Sequence, residues 1–201
     1  MNALSTLERV KQHLIELKMV SALEALDGVL SRVERGEIST LEAFEALLGE
    51  ENTLRESRRI RAQLMTSRLT HIKTLESFDF SFQPSLDRNR ILTLAQLSFI
   101  DRHQTVHLLG PPGVGKSHLA IALGVAAVKA RKSVYFTTLA ELIATLTKAE
   151  RQGSLATRLR YINRVALLVI DELGYLPIEK GGANLFFQLV NARYEKGATI
   201  L

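Results

Sequence analysis

The run Gly110-Pro111-Pro112-Gly113-Val114-Gly115-Lys116-Ser117 sets three glycines, a lysine and a hydroxyl between a short apolar stretch and a helix-forming one. These residue types suit the wrapping of a triphosphate. Successive backbone N–H groups can converge on an anion only where side chains do not block the approach, which is the use of Gly110, Gly113 and Gly115. Pro111 and Pro112 stiffen the entry, and Val114 completes the loop. A helix opening at Lys116 would aim the positive end of its dipole at the phosphates. The Lys116 ammonium would span the β- and γ-phosphates, the Ser117 hydroxyl is placed to ligate Mg²⁺, and His118 follows on the same helix end.

A second landmark lies some fifty residues on. Val165-Ala-Leu-Leu-Val-Ile170 ends in Asp171-Glu172, which places both carboxylates at the carboxyl edge of a buried strand, where doubly wound sheets bind ligands. Asp171 would hold Mg²⁺ through its water shell. Glu172 would orient and polarise an attacking water, so Glu172 and Lys116 are the candidate catalytic pair and Ser117 and Asp171 the candidate metal ligands.

The elements that must position these residues can be read in outline. Ser5-x-x-Glu8 and Ser39-x-x-Glu42 are capping boxes. Apolar residues at helical spacing predict two short helices over residues 4–33, ended by Gly36, and a longer helix from residue 40 through an arginine-rich stretch to about Thr74, broken or bent at Gly49. Residues 1–74 are thus expected to form a small helical domain. Residues 75–85, with Phe78, Phe80 and Phe82 alternating before Pro84, read as an extended linker whose phenylalanines pin it to the domain that follows. Helical spacing returns over residues 86–100.

From Val106 onward short apolar runs alternate with helices, the pattern of a parallel sheet covered on both faces. Strands are expected at 106–109, 133–137, 165–170 and from 198. Helices are expected at 116–130, from Thr138 to near Asn163, and over 184–196. Gly174–Pro177 reads as a turn, Gly181-Gly182 as an entry loop and Gly197 as a helix C-cap. The expected fold is a P-loop α/β/α sandwich over residues 86–201.

Bulk properties narrow the function classes. With 46% hydrophobic and 23% charged residues, the chain has the composition of a soluble globular protein, and with no cysteine it has no disulfide framework. No apolar stretch is long enough for a membrane span, so the chain reads as cytoplasmic. A formal charge of +5 points modestly to a polyanionic partner. The positive residues cluster in two places. Arg55, Arg58, Arg59, Arg61, Arg68 and Lys73 stand against Glu56, and Lys148, Arg151, Arg158, Arg160 and Arg164 against Glu150. Each cluster is either a placed nucleic-acid surface or a solvated helix face.

Gly110-Pro-Pro-Gly-Val-Gly-Lys-Ser-His-Leu-Ala120, Leu168-Val-Ile-Asp-Glu-Leu-Gly-Tyr-Leu-Pro177 and Asn184-Leu-Phe-Phe-Gln-Leu-Val-Asn-Ala-Arg-Tyr-Glu195 closely resemble the IstB-like proteins. These are ATP-binding helpers of bacterial transposases, related to the DnaC helicase loader and belonging to the AAA+ ATPases. The resemblance covers nearly the whole chain, and its second stretch is far more specific than the phosphate loop. It implies ATP and Mg²⁺ as cofactors, nucleotide bound at subunit interfaces of a homo-oligomer, assembly on duplex DNA with little sequence preference, and a transposase as partner. It also implies that helices between the second and third strands contact DNA, and here these carry Arg151, Arg158, Arg160 and Arg164. Family members continue past Leu201 with a sensor residue, an arginine finger, a fifth strand and a helical lid. The chain is therefore expected to be a fragment or truncated product, in which ATP binding is better supported than turnover.

Two alternatives stay open at this stage. A replicative helicase loader shares the ATPase core and would use its N-terminal helices on a helicase, and a nucleotide-responsive binding module would lack catalysis. A small-molecule kinase is disfavoured by the water-activating Asp171-Glu172 pair, and a GTPase by the lack of an Asn-Lys-x-Asp stretch.

Overall fold

A computed structural model describes residues 5–69, 71–173 and 180–201. They fall into two compact units, Met1–Arg61 and Ala62–Leu201. Among the described residues no helix is long and apolar enough to cross a membrane.

The first unit holds α1 (Thr6–Glu16), α2 (Val20–Glu34) and most of α3 (Thr40–Thr66). Both capping boxes form. The Ser5 hydroxyl accepts from the Glu8 amide while Glu8 Oε2 accepts from the Ser5 amide at 2.6 Å, and Ser39 and Glu42 repeat the exchange. Helix α2 starts at Met19 with no side-chain cap of its own. Glu51, buried on α3, supplies one from a distance by accepting from the Ser21 amide at 3.0 Å. Arg55 holds Glu51 Oε1 at 2.7 Å and donates to the Leu17 carbonyl at the end of α1. One ion pair therefore serves two helix termini whose backbone groups would otherwise lack partners.

Two expectations for α3 need correction. Gly49 does not break the helix, which runs through it from Thr40 to Thr66, because a single helical glycine costs only about 1 kcal/mol relative to alanine. The helix also ends at Thr66, not near Thr74. Arg68 turns left-handed (φ 61°), and the Leu69 amide reaches back to the Leu64 carbonyl, a Schellman-type end built without glycine. The Ser67 carbonyl accepts from the Phe136 amide at 2.9 Å, so the chain leaves the helix to run beside a strand.

The second unit is a four-stranded parallel sheet in the order β1-β4-β3-β2, formed by β1 (Thr105–Val106), β2 (Val134–Thr138), β3 (Leu167–Asp171) and β4 (Ala198–Ile200). Between strands run α6 (Lys116–Lys129), α7 (Leu139–Arg151), α8 (Leu155–Asn163) and α9 (Lys180–Arg193), after α4 (Arg88–Ala95) and α5 (Ser98–Asp101). Strand alternation divides the core. Tyr135, Leu168 and Ile170 join Leu142, Leu146, Ile162, Leu185 and Leu189 beneath α7, α8 and α9. Val134 and its partner Leu167 face the other way, where Val134 lies beside Gly124 of α6. Helix α6 is buried along most of its length, from Leu119 to Val128, as its nearly unbroken apolar sequence requires. The expected three-layer α/β/α architecture is what forms.

Smaller differences follow from packing. The predicted helix over 86–100 is split by left-handed Leu97 (φ 62°) into α4 and α5. Gly181 and Gly182 lie inside α9, not in an entry loop. The expected turn at Gly174–Pro177 lies outside the described residues. Gly197 is not the left-handed cap of α9; Glu195 takes that conformation (φ 57°). Gly197 instead gives room to Arg193, whose Nη2 would lie 2.6 Å from a Cβ at that position. Arg193 is 3% exposed and donates to the carbonyls of Ile162, Val165 and Ala198 and to Thr199 Oγ1. Burial lowers its pKa to about 10, which leaves it a cation at neutral pH, solvated by the chain ends it joins.

Candidate nucleotide site

The carboxyl edge of the sheet brings the two sequence landmarks together. After β1 the chain turns through residues 107–115 into α6, whose N-cap is Gly115 at φ 91°, with Gly113 at φ 82°. Both angles are poorly tolerated by residues with a Cβ. Beside this turn β3 ends at Asp171. The Ser117 hydroxyl donates to Asp171 Oδ1 at 3.0 Å, across 54 residues of sequence. The same carboxylate oxygen accepts from the Glu172 amide at 2.9 Å.

Lys116 folds its ammonium over the loop and donates to the carbonyls of Gly110 (2.8 Å) and Pro111 (2.7 Å). These are neutral acceptors, weaker for a cation than phosphate oxygens. Gly110, Gly113, Gly115, Lys116, Ser117, His118, Asp171 and Glu172 all line one cleft of about 720 Å³. Pro111 and Val114 line an adjoining apolar cavity of about 1200 Å³, bounded by Ile91, Leu94 and Phe99. Pro112 is exposed and lines neither. The donors at the Ser117–Asp171 contact are a hydroxyl and a carboxylate, both hard oxygen ligands of the kind Mg²⁺ takes alongside water and phosphate, so the residues fit that ion. Glu172 is exposed and sits at φ 60°, an uncommon conformation for a side chain of its size.

Sequence reasoning missed how closely the linker is tied to this site. The Phe78 ring lies so near the loop that a Cβ on Gly115 would stand 2.7 Å from it. Phe78 also meets Phe80 and His118 edge-on, with ring centroids 4.9 and 5.1 Å apart. His118 Nε2 donates to the Thr74 carbonyl at 3.0 Å, with Ser77 Oγ 3.3 Å away. The expectation that phenylalanines pin the linker holds for Phe78, seated on Gly115, and for Phe80, whose ring lies under the Arg88 guanidinium of α4 at 5.5 Å. Phe82, in a short 3-10 turn, is 69% exposed. The signal that could have exposed the clasp was the adjacency of Ser117 and His118: one side chain serves the strand end, so its neighbour must face another way.

The arginines singled out from sequence divide by what they touch. Arg59 pairs with Glu56 at 2.7 Å, a contact that raises its pKa, while Arg58 and Arg61 are exposed. Arg158 is half-buried, donates to Tyr135 Oη at 3.1 Å and lies 5.3 Å from the Tyr161 ring centroid. Arg151, Arg160 and Arg164 are exposed.

Comparison with known proteins gives the family. The family model described as IstB-like ATP binding protein matches residues 12–201. The ATP-binding protein of insertion sequence IS21 from Pseudomonas aeruginosa is 44% identical over 188 residues, 94% of this chain and 71% of that one. Its counterpart from insertion sequence IS232 of Bacillus thuringiensis is 38% identical over 194 residues, 96% of this chain and 78% of the other. Among solved structures, AMPPCP-bound DnaA from Aquifex aeolicus is similar with a TM-score of 0.55 at 22% identity, over 63% of this chain and 40% of that one, a likeness of fold. A glycine-rich loop opening a helix, a strand-end aspartate on its serine and a family match along nearly the whole chain lead to one conclusion: this protein belongs to the IstB-like ATP-binding family, on a three-layer α/β/α fold.

Proposed function

We propose that the chain binds Mg²⁺-ATP in the Gly110–Ser117 loop and, so loaded, self-associates on duplex DNA as the ATP-dependent helper of a transposase, hydrolysing ATP slowly. The observation that carries this reading is the 3.0 Å contact between Ser117 Oγ and Asp171 Oδ1. It joins the first turn of the loop helix to the end of a central strand, the juxtaposition a metal-bound triphosphate needs.

Loop amides and the α6 N-terminus receive the phosphates, and the Lys116 ammonium exchanges the Gly110 and Pro111 carbonyls for phosphate oxygens. Ser117 and Asp171 would hold the metal, which would supply neutralising charge to the phosphate chain. The Glu172 carboxylate, exposed in this cleft beside the strand end, orients water for attack. For DNA, exposed Arg151, Arg160 and Arg164 supply backbone-directed contacts without base readout. That the relatives are named as insertion-sequence ATP-binding proteins supports the assignment to transposition.

Calorimetry with ATP and Mg²⁺, followed by gel retardation of a duplex with and without ATP, tests the reading. Lys116→Ala is expected to remove most nucleotide affinity and the ATP-dependent part of DNA retention. Phosphate release from the native protein is expected to exceed that of Glu172→Gln. Absence of any heat with folded protein at millimolar ATP would remove the basis of the proposal.

A further inference from the structure

We propose that Lys73 is a second phosphate-binding cation of the nucleotide cleft, delivered by the segment ahead of the sheet instead of by the loop. The inference rests on the nucleotide reading above and adds a residue to that site. By sequence Lys73 is simply the last member of an arginine-rich cluster. In the fold it leaves that company and lines the same cleft as Lys116, Ser117, Asp171 and Glu172.

Its placement is enforced from both sides. Upstream, the Ser67 carbonyl accepts from the Phe136 amide on edge strand β2 at 2.9 Å, and Leu69 is buried with a methyl 3.5 Å from where a Cβ of Gly124 would lie. Downstream, the very next residue is anchored: the Thr74 carbonyl accepts from His118 Nε2 at 3.0 Å, one position from Ser117. Ser77 then bonds back to Thr74, and Phe78 is seated on Gly115. The Thr74 anchor keeps the backbone of Lys73 at the cleft, within reach of what the cleft binds.

The electrostatics give it a task. Lys73 is half-buried and makes no ion pair among the described residues, so none of their carboxylates competes with an entering anion for its ammonium. The cleft also holds two carboxylates, Asp171 and Glu172. Against these and a tetra-anionic triphosphate, Lys116 and a divalent ion leave a net negative balance, and a second lysine reduces it. A charge-assisted hydrogen bond to phosphate changes affinity by about tenfold or more.

The test is fluorescent-ATP binding with Mg²⁺ to the native chain, Lys73→Gln, Lys73→Arg and Lys116→Met, with circular dichroism to confirm folding. Lys73→Gln is expected to bind about tenfold more weakly and with a shallower dependence on salt, and Lys73→Arg to recover most of the loss. Native affinity in Lys73→Gln alongside lost affinity in Lys116→Met would overturn the assignment of Lys73 while leaving the nucleotide site standing. Native affinity in both variants would overturn the nucleotide reading, and this inference with it. A loss in Lys73→Gln that arginine does not relieve would also overturn it, since a guanidinium supplies the same charge.

Discussion

Gly115 and Phe78 touch: a methyl group added at the glycine would lie 2.7 Å from Cε2 of the ring. The residue that caps the phosphate-loop helix is therefore also the floor on which the linker rests. Glycine is required there twice, for its φ of 91° and for the space.

Gly115→Ala is accordingly expected to cost about 1–3 kcal/mol in stability and to abolish nucleotide binding. Combining it with Phe78→Ala removes the collision but not the backbone strain, so the double variant should recover only part of the stability. Urea denaturation and calorimetry check both points. Full recovery in the double variant would mean that the ring alone makes glycine necessary.

Arg193→Met is expected to destabilise the chain by about 3 kcal/mol or more, because the buried Ile162 and Ala198 carbonyls lose their donor. Gly197→Ala should act in the same direction at about 1–3 kcal/mol by displacing the guanidinium. Denaturant midpoints should fall in both. The two losses should not add, since both disrupt one contact.

Exposed Arg160 and Arg164 and half-buried Arg158 should separate in DNA binding. Arg160→Glu with Arg164→Glu is expected to weaken duplex binding, to reduce the dependence of log affinity on log salt by about 2, and to leave stability unchanged. Arg158→Ala should instead lower the thermal midpoint, as Tyr135 Oη loses its donor. Anisotropy titrations across a salt series, with thermal melts beside them, distinguish the two classes.

Acid should loosen the first helical unit. Hydrogen bonds from Ser5 and Ser39, chiefly their amides, hold the Glu8 and Glu42 carboxyls below the usual 4.5. At Glu51, burial pushes the carboxyl upward, but hydrogen bonds from Arg55 and the Ser21 amide bring it net below the same value. Below 4.5 the unfolded chain binds more protons than the folded one, so this stabilisation, complete above 4.5, is lost as pH falls through the lowered native values. Ellipticity at 222 nm should decline over that window, and less steeply in Glu8→Gln with Glu42→Gln, whose amide side chains do not titrate there.

What the sequence settled by itself was chemistry fixed within a few consecutive residues. The glycine-rich loop opening a helix at Lys116, the apolar strand ending in Asp171, the Ser5 and Ser39 capping boxes and the alternation of strands with helices all depend on local spacing and all form, with shifted bounds: the strand expected over 106–109 is Thr105–Val106, and the helix expected over 184–196 is Lys180–Arg193. The tertiary structure decided which groups stay available. Arg55 and Arg158 look like their neighbours in sequence, yet one supports two helix ends and the other packs between tyrosines, because their partners lie 38 and 23 residues away. Gly197 read as a cap and serves as clearance for Arg193, and the chain left α3 at Thr66 because β2 offered Ser67 a hydrogen bond. Periodicity encodes which face of an element is apolar, whereas the use of a glycine or a charge depends on what the fold brings beside it.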